Sequence, residues 1–207
     1  MKREDAPDST TLVEMASVSA GYPFRGKIDK LPKGDVAVIQ MRNVDPETGI
    51  DWQGLIRAEL PRSSEKAFLH SGDIILSTRG GRNFAYCIEK GKGPVVCSPH
   101  FFLIRLMRDS ILPEFLEWQI NQTPAQSYFT AGATGSHILN LKRSVVERLP
   151  ILLPSFERQR SIVQAAKAAR AERLVLNQLI QNRTKEMNAL ANELLGNLST
   201  HPEREAK

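Results

Sequence analysis

The sequence predicts an α+β domain over residues 1–150, followed over residues 151–207 by a strand end, one long helix and a tail. Three observations carry this. Short Val/Ile-rich runs separated by Gly, Pro, Asn and Asp recur through the first 150 residues, which is strand-and-turn patterning. Two stretches with proline in the first turn, near Pro113 and Pro124, interrupt those strands with short helices. Ser155–Leu195 contains neither Pro nor Gly and repeats apolar residues at helical spacing.

In chain order, residues 1–11 are polar and read as a frayed lead-in. Leu12–Ser17 reads as a short helix and Gly21–Lys27 as a loop, with two aromatics and two cations suited to touching a ligand. Asp35–Met41 reads as a strand that Arg42-Asn43-Val44-Asp45 leaves, with a turn at Pro46–Gly49. A turn at His70–Asp73 enters the strand Ile74–Thr78. Arg79-Gly80-Gly81-Arg82-Asn83 follows, where two glycines permit close approach of the backbone and two arginines flank them. Phe84–Glu89, Val95–Cys97 and Phe101–Met107 read as strands, Leu112–Asn121 and Thr123–Phe129 as helices, and Leu149–Leu153 as a last strand.

The long helix opens at Ser155, whose hydroxyl suits an N-cap, with Glu157 at the positive end of the dipole and Gly196 as a stop signal. At about 1.5 Å per residue it spans roughly 60 Å. Steps of three and four residues trace a seam of Ile162, Ala166, Ala169, Arg173, Leu176, Ile180, Arg183, Met187, Leu190 and Leu194. That length and that stripe ask for a partner helix. Arg173 and Arg183 weaken the seam unless they mark register or lie at its edge.

Composition narrows the class. The chain has 207 residues, 41% of them hydrophobic, enough for a real core. A net charge of +5 permits a nucleic-acid partner without demanding one. Cys87 and Cys97 sit in apolar runs and read as buried thiols of a reducing compartment. No apolar h-region follows the charged N-terminus, and no apolar run reaches membrane-span length. The expectation is a soluble, cytoplasmic protein with no membrane partner.

Catalytic patterns are missing. Gly26-Lys27 and Gly91-Lys92 are not followed by the Ser or Thr of a phosphate loop, and no dinucleotide glycine turn occurs. Neither Gly-x-Ser-x-Gly nor the acidic-Pro-Pro-aromatic motif of amino-methyltransferases is found. His70, His100, His137 and His201 are scattered without metal-ligand spacing. A Glu-x-Lys element falls only at Glu205–Lys207, in the tail. The expectation is a non-catalytic protein that holds no metal and no cofactor of its own.

Three loops instead concentrate Arg, Lys, Asn, Ser and Gly: Gly21–Lys27, Arg79–Asn83 and Thr134–Arg143. Between Arg79 and Arg105 the bases are Arg79, Arg82, Lys90, Lys92 and Arg105, against one acid, Glu89. Arg and Asn read guanine and adenine bidentately, while Lys, Ser and backbone N–H groups suit phosphates. Together the loops favour a reader of double-stranded DNA. Lys142 and Arg143 belong to this set, as do Arg42 and Asn43 beside the first long strand.

These segments resemble the DNA-specificity (S) subunits of type I restriction–modification systems. The matching stretches run in order: Gly21–Gly26, Val38–Val44, Gly72–Gly80, Thr134–Leu141 and Leu149–Val163. The last is the most specific, a strand ending in Leu-Pro and a helix opening Glu157-Arg158-Gln159-Arg160-Ser161-Ile162-Val163. The resemblance implies a mixed-sheet target recognition domain, then a long helix forming an antiparallel coiled coil with a partner. Two such units make a full subunit, and this chain holds one. A homodimer would then read a palindromic bipartite site, or the chain would pair with another S-type chain.

The resemblance further implies a methyltransferase (M) subunit, which would bind S-adenosylmethionine, and a restriction (R) subunit as partners. It carries DNA contact onto Arg25, Lys27, Arg79, Arg82, Asn83, Ser136 and His137. The competing expectation is a stand-alone S-like interaction module that joins or modulates another restriction complex without strong DNA binding. Over residues 1–150 bases only slightly outnumber acids, which leaves room for it.

Overall fold

The computed structural model describes residues 8–24, 26, 28, 34–79, 83–89, 93–132 and 140–195. The chain opens with β1 (Asp8–Thr11), one helical turn α1 (Leu12–Met15) and β2 (Ala16–Ala20). Residues 8–11 are thus a strand rather than a frayed lead-in. They lie antiparallel to β11 (Pro150–Leu153), Asp8 opposite Leu153 and Thr11 opposite Pro150. The helix expected over Leu12–Ser17 stops at Met15, because Ala16 turns extended (φ −147°, ψ 150°) to join a sheet. Both corrections have one cause: the pairing strands lie far away in sequence, where local patterning cannot see them.

The middle of the chain supplies β3 (Val36–Ile39), β4 (Val44–Asp45), β5 (Gly49–Ile50), β6 (Ile56–Ala58), β7 (Ile74–Ser77), β8 (Ala85–Cys87), β9 (Val95–Cys97) and β10 (Phe101–Leu106). Then come α2 (Pro113–Asn121), α3 (Thr123–Gly132), α4 (Arg143–Glu147) and, after β11, α5 (Phe156–Leu195). The α+β expectation holds. The turn at Pro46–Gly49 closes the small β4–β5 hairpin, where the Asp45 carboxylate accepts from the backbone N–H groups of Glu47 and Thr48. Strand β6, the 3₁₀ turns at Met41–Asn43 and Arg62–Ala67, and helix α4 have no counterpart in the sequence reading.

The chain divides into two compact units, Met1–Ala166 and Lys167–Lys207. In the first, β2-β10-β7-β8 form an antiparallel sheet. A second sheet, β6-β3-β9, is mixed, because β3 runs parallel to β9 and antiparallel to β6. The largest core cluster lies between the first sheet and the helices, with Leu12, Ile104, Phe115, Leu116, Ile120 and Val146 buried together. Each such side chain contributes about 1.5–3 kcal/mol of burial. A second cluster, including Ile39, Ile75 and Phe101, joins the two sheets, and a third covers the other face of β3 and β9.

Two sheet edges are closed by amide side chains from α2. Asn121 accepts from the Ala85 N–H and donates to the Ala85 carbonyl, both at 2.9 Å. Gln119 does the same for Leu152, at 2.7 and 3.1 Å. Each amide stands in for one residue of a neighbouring strand and removes an unpaired edge. Cys87 and Cys97 are both buried, as expected. Loss of hydration pushes the Cys97 thiol up to about 12.

Helix α5 starts as read: the Ser155 hydroxyl accepts from the Arg158 N–H at 3.4 Å. Its first turns belong to the first unit, where Val163 is buried and Ile162 packs on the main core. Gln159 is fully buried; its carbonyl accepts from Leu112 N–H at 2.8 Å, and its amide donates to the Ser110 and Pro154 carbonyls at 3.1 and 2.9 Å. Gly196, the expected stop, lies outside the described residues. In the second unit the helical residues from Lys167 to Leu195 leave Ala169, Leu176, Ile180, Met187, Leu190 and Leu194 exposed, as well as Val175, Leu179 and Leu195. Among the described residues no helix is long and apolar enough to cross a membrane.

Candidate nucleic-acid interface

Strand register brings the candidate loops to one end of the sheets. Ala20 at the end of β2 lies opposite Phe102, Phe101 lies opposite Ser77 at the end of β7, and Leu76 lies opposite Ala85 at the start of β8. Ile39 at the end of β3 sits beside Cys97. The segments that follow Ala20, Ile39 and Ser77 therefore all leave where the Ser98–His100 turn enters β10.

That turn is the hub. Gly21 donates to the Phe101 carbonyl at 2.9 Å and Tyr22 to the Cys97 carbonyl at 2.7 Å. A Cβ on Gly21 would lie 2.1 Å from the Ser98 carbonyl oxygen, so only glycine fits. Ser98 donates to the Ile39 carbonyl, and Thr78 reaches the His100 carbonyl through both its N–H and its hydroxyl, at 2.9 and 3.0 Å. The Thr78 carbonyl then accepts from the Leu141 N–H at 3.1 Å, and the Arg79 Nε donates to the Asn140 Oδ1 at 3.3 Å. Hence the anchors of the loops around residues 21–27, 40–43, 79–83 and 134–143 are brought together.

Arg42 and Arg79 are exposed there. Lys142, also exposed, starts α4, its carbonyl accepting from Val145 and Val146. Arg143 is exposed and ion-paired with Glu147 at 2.7 Å across one helical turn. Such a surface pair is worth at most about 1 kcal/mol, so a phosphate would compete with it readily.

Two candidates are placed differently from the sequence reading. Asn43 is 5% exposed; its Oδ1 accepts from the Gln40 N–H and its Nδ2 donates to the Gly54 carbonyl, each at 3.1 Å. Asn83 is 8% exposed and donates to the Ser77 carbonyl at 2.7 Å. Both amides are spent closing the bases of their loops, and in this conformation neither faces a groove. Tyr22 and Phe24, read from the sequence as ligand-touching aromatics, pack edge to face at 4.8 Å against the third core cluster. Arg25, Lys27, Arg82, Ser136 and His137 lie outside the described residues.

At the far end of the first sheet, Arg105 leaves the basic surplus that the sequence assigns it to. Its guanidinium clasps the buried Asp73 carboxylate at 2.6 and 2.8 Å, donates to the Phe68 carbonyl and meets the His70 ring nitrogen. The carboxylate hydrogen bond holds the guanidinium above its ordinary value. The pair ties β7 to β10 at the end away from the loops. The roles of the Ser98–His100 turn and Asn140 were not apparent from residue type; Pro99, a turn former after Ser98, is the one local signal.

No protein-family model matches this chain, and no curated protein matches it. Solved structures do. A type I restriction–modification S subunit from M. genitalium matches with a TM-score of 0.57 at 16% identity, over 95% of this chain and 48% of that one. A chain of a type I system, solved to explain its complex assembly and conformational transition, gives 0.67 at 18% identity over 100% and 53%. The HsdS subunit from Thermoanaerobacter tengcongensis gives 0.57 at 19% identity over 100% and 52%. The chain thus spans about half the length of each structure it matches, and what they share is the fold: one mixed α+β domain and one long C-terminal helix, as in the S subunits of type I restriction–modification systems.

Proposed function

We propose that this chain is a sequence-specific DNA-recognition subunit of a type I restriction–modification complex, reading one half of a bipartite site and docking a methyltransferase subunit. The observation that supports this most is the convergence of the four loop anchors on the Ser98–His100 turn, in a chain with the S-subunit fold. Arg42, Arg79, Lys142 and Arg143 are the described contacts of choice. Arg79 is the one best placed to read a base, because its Nε bond to Asn140 aims the guanidinium from two loops at once. The chain carries out no chemistry in this scheme. S-adenosylmethionine belongs to the methyltransferase subunit, and a restriction subunit joins the assembly. Helix α5 pairs with the helix of another S-type chain, and its bare seam supplies the apolar surface.

The test is co-purification with a type I methyltransferase subunit, followed by gel-shift titration of the complex on a randomised duplex library. A selected bipartite sequence and an affinity that falls steeply with salt are expected, since neutralised phosphates release counterions. A complex that binds all duplexes alike would refute the reading.

A further inference from the structure

A cleft of about 460 Å³ opens at the end of the first sheet away from the Ser98–His100 hub. Its walls come from the turn before β7, the end of β10 with the residues after it, and the start of α2. They include His70, Gly72, Arg105, Arg108, Leu112 and Pro113. We infer that this cleft binds a small phosphate monoester, with Arg105, Arg108 and His70 on the phosphate and Leu106, Leu112 and Pro113 against its organic part. The inference is independent of DNA recognition, because none of the loop candidates lines the cleft.

Arg105 supplies a fixed donor. Its Nε and Nη2 are spent on the Asp73 carboxylate, the Phe68 carbonyl and the His70 ring. A guanidinium is planar, so Nη1 points away from the edge that holds the carboxylate. Among the described residues nothing accepts from Nη1, which leaves its two N–H groups for a ligand. Asp73 is 4% exposed while the Arg105 side chain keeps 35%, so the clasped edge is the buried one. The clamp on Asp73 has already fixed the side chain, and little rotamer freedom remains to be lost on binding.

His70 adds a second donor. Its Nδ1 meets a guanidinium N–H of Arg105 at 2.8 Å, and only an unprotonated nitrogen can accept that bond, so the ring proton sits on Nε2. The His70 side chain is 65% exposed. Arg108 is the third donor, exposed and ion-paired with none of the described residues, although it acts on Glu14 through space. Donors from three positions suit the three terminal oxygens of a phosphate monoester, where a planar carboxylate offers two. The acids of the wall do not oppose this. Both Asp73 oxygens are taken, by the Arg105 guanidinium and the His70 backbone N–H, and Asp109 is exposed. Leu106, Leu112 and Pro113 give the cleft the apolar side that small-ligand sites of this size use for a ring or sugar.

The test uses the full chain and titrates it with adenosine 5′-monophosphate, adenosine and inorganic phosphate in turn. Binding is followed by NMR through backbone amide shifts, with Gly72 and Leu106 as reporters in the cleft wall. The monophosphate should move both amides and saturate in the millimolar range or below. Adenosine should move neither, and inorganic phosphate should bind about tenfold more weakly than the monoester. Arg105→Lys should abolish binding, since an ammonium cannot hold Asp73 and the ligand at once. Arg108→Gln, at an exposed position, keeps the test open if Arg105→Lys does not fold, and should weaken binding at least about tenfold. Arg79→Ala, changed only at the loops, should bind the monophosphate as the parent does, whatever happens to its duplex affinity. No amide shift at about 10 mM, equal binding of adenosine or of inorganic phosphate, an Arg108→Gln chain that binds like the parent, or binding lost in Arg79→Ala would overturn the inference. Loss of duplex recognition with the monophosphate still bound would sink DNA reading alone.

Discussion

Replacing Gln159 with leucine should cost the first unit about 3 kcal/mol, although the side-chain volume barely changes. The native amide is fully buried and makes three hydrogen bonds, to Leu112 N–H and to the carbonyls of Ser110 and Pro154. Leucine leaves all three groups facing hydrocarbon. A buried donor without an acceptor costs about 1–3 kcal/mol, and each carbonyl somewhat less because its second lone pair finds other partners. The extra apolar contact of leucine offsets part of this, which brings the sum to about 3 kcal/mol. For a unit of this size that lowers the midpoint of thermal unfolding by roughly 6–12 °C. The assay is urea unfolding followed by tryptophan fluorescence, with exposed Arg160→Leu as a control expected within about 0.5 kcal/mol of the parent. A Gln159→Leu loss below about 1 kcal/mol would show that water or a shifted helix start satisfies the three groups, and that the clasp does not fix the beginning of α5.

Other outcomes follow from the same geometry. Arg79→Ala should weaken binding to a cognate duplex by about 1–3 kcal/mol and relax preference at one base, read by gel-shift competition. Gly21→Ala forces a methyl onto the Ser98 carbonyl and should destabilise the unit by about 1–3 kcal/mol, measured by urea titration. Cys97 stays protonated in the folded chain up to about 12, whereas the unfolded chain ionises near the ordinary 9.0. The unfolded state therefore binds fewer protons between those values. Stability should fall as pH rises from 9 toward 12, and a Cys97→Ala chain should lack that increment. The native thiol should also resist alkylation at pH 8.

How much of this was legible in the sequence varies by element. Strands such as Val95–Cys97 declared themselves because they are short, apolar and bounded by turn residues. The helix starts at Pro113 and Ser155 did so because capping is local chemistry. What stayed hidden depends on long-range partners. Ser9 and Thr10 look like tail until β11 is beside them, and Arg105 looks like surplus charge until Asp73 is. Asn83 and Asn121 are the same residue type near the same strand, yet both build the fold, one closing a loop and one an edge. The loop candidates stand out as a set because their composition is biased. Sorting them was beyond composition, since burial separates Asn43 from its neighbour Arg42.

The Arg105–Asp73 clasp lies at the end of the first sheet away from the hub at Ser98–His100, and the two amide edge closures and the Gln159 contacts use neither Arg42 nor Lys142. Side chains such as Arg42 and Lys142 can therefore be exchanged without disturbing any of these bonds. Drift at those surface positions is thermodynamically cheap, within about 0.5 kcal/mol for a typical exposed site. A lineage of such chains is free to rewrite its surface chemistry there generation after generation while inheriting an unchanged frame.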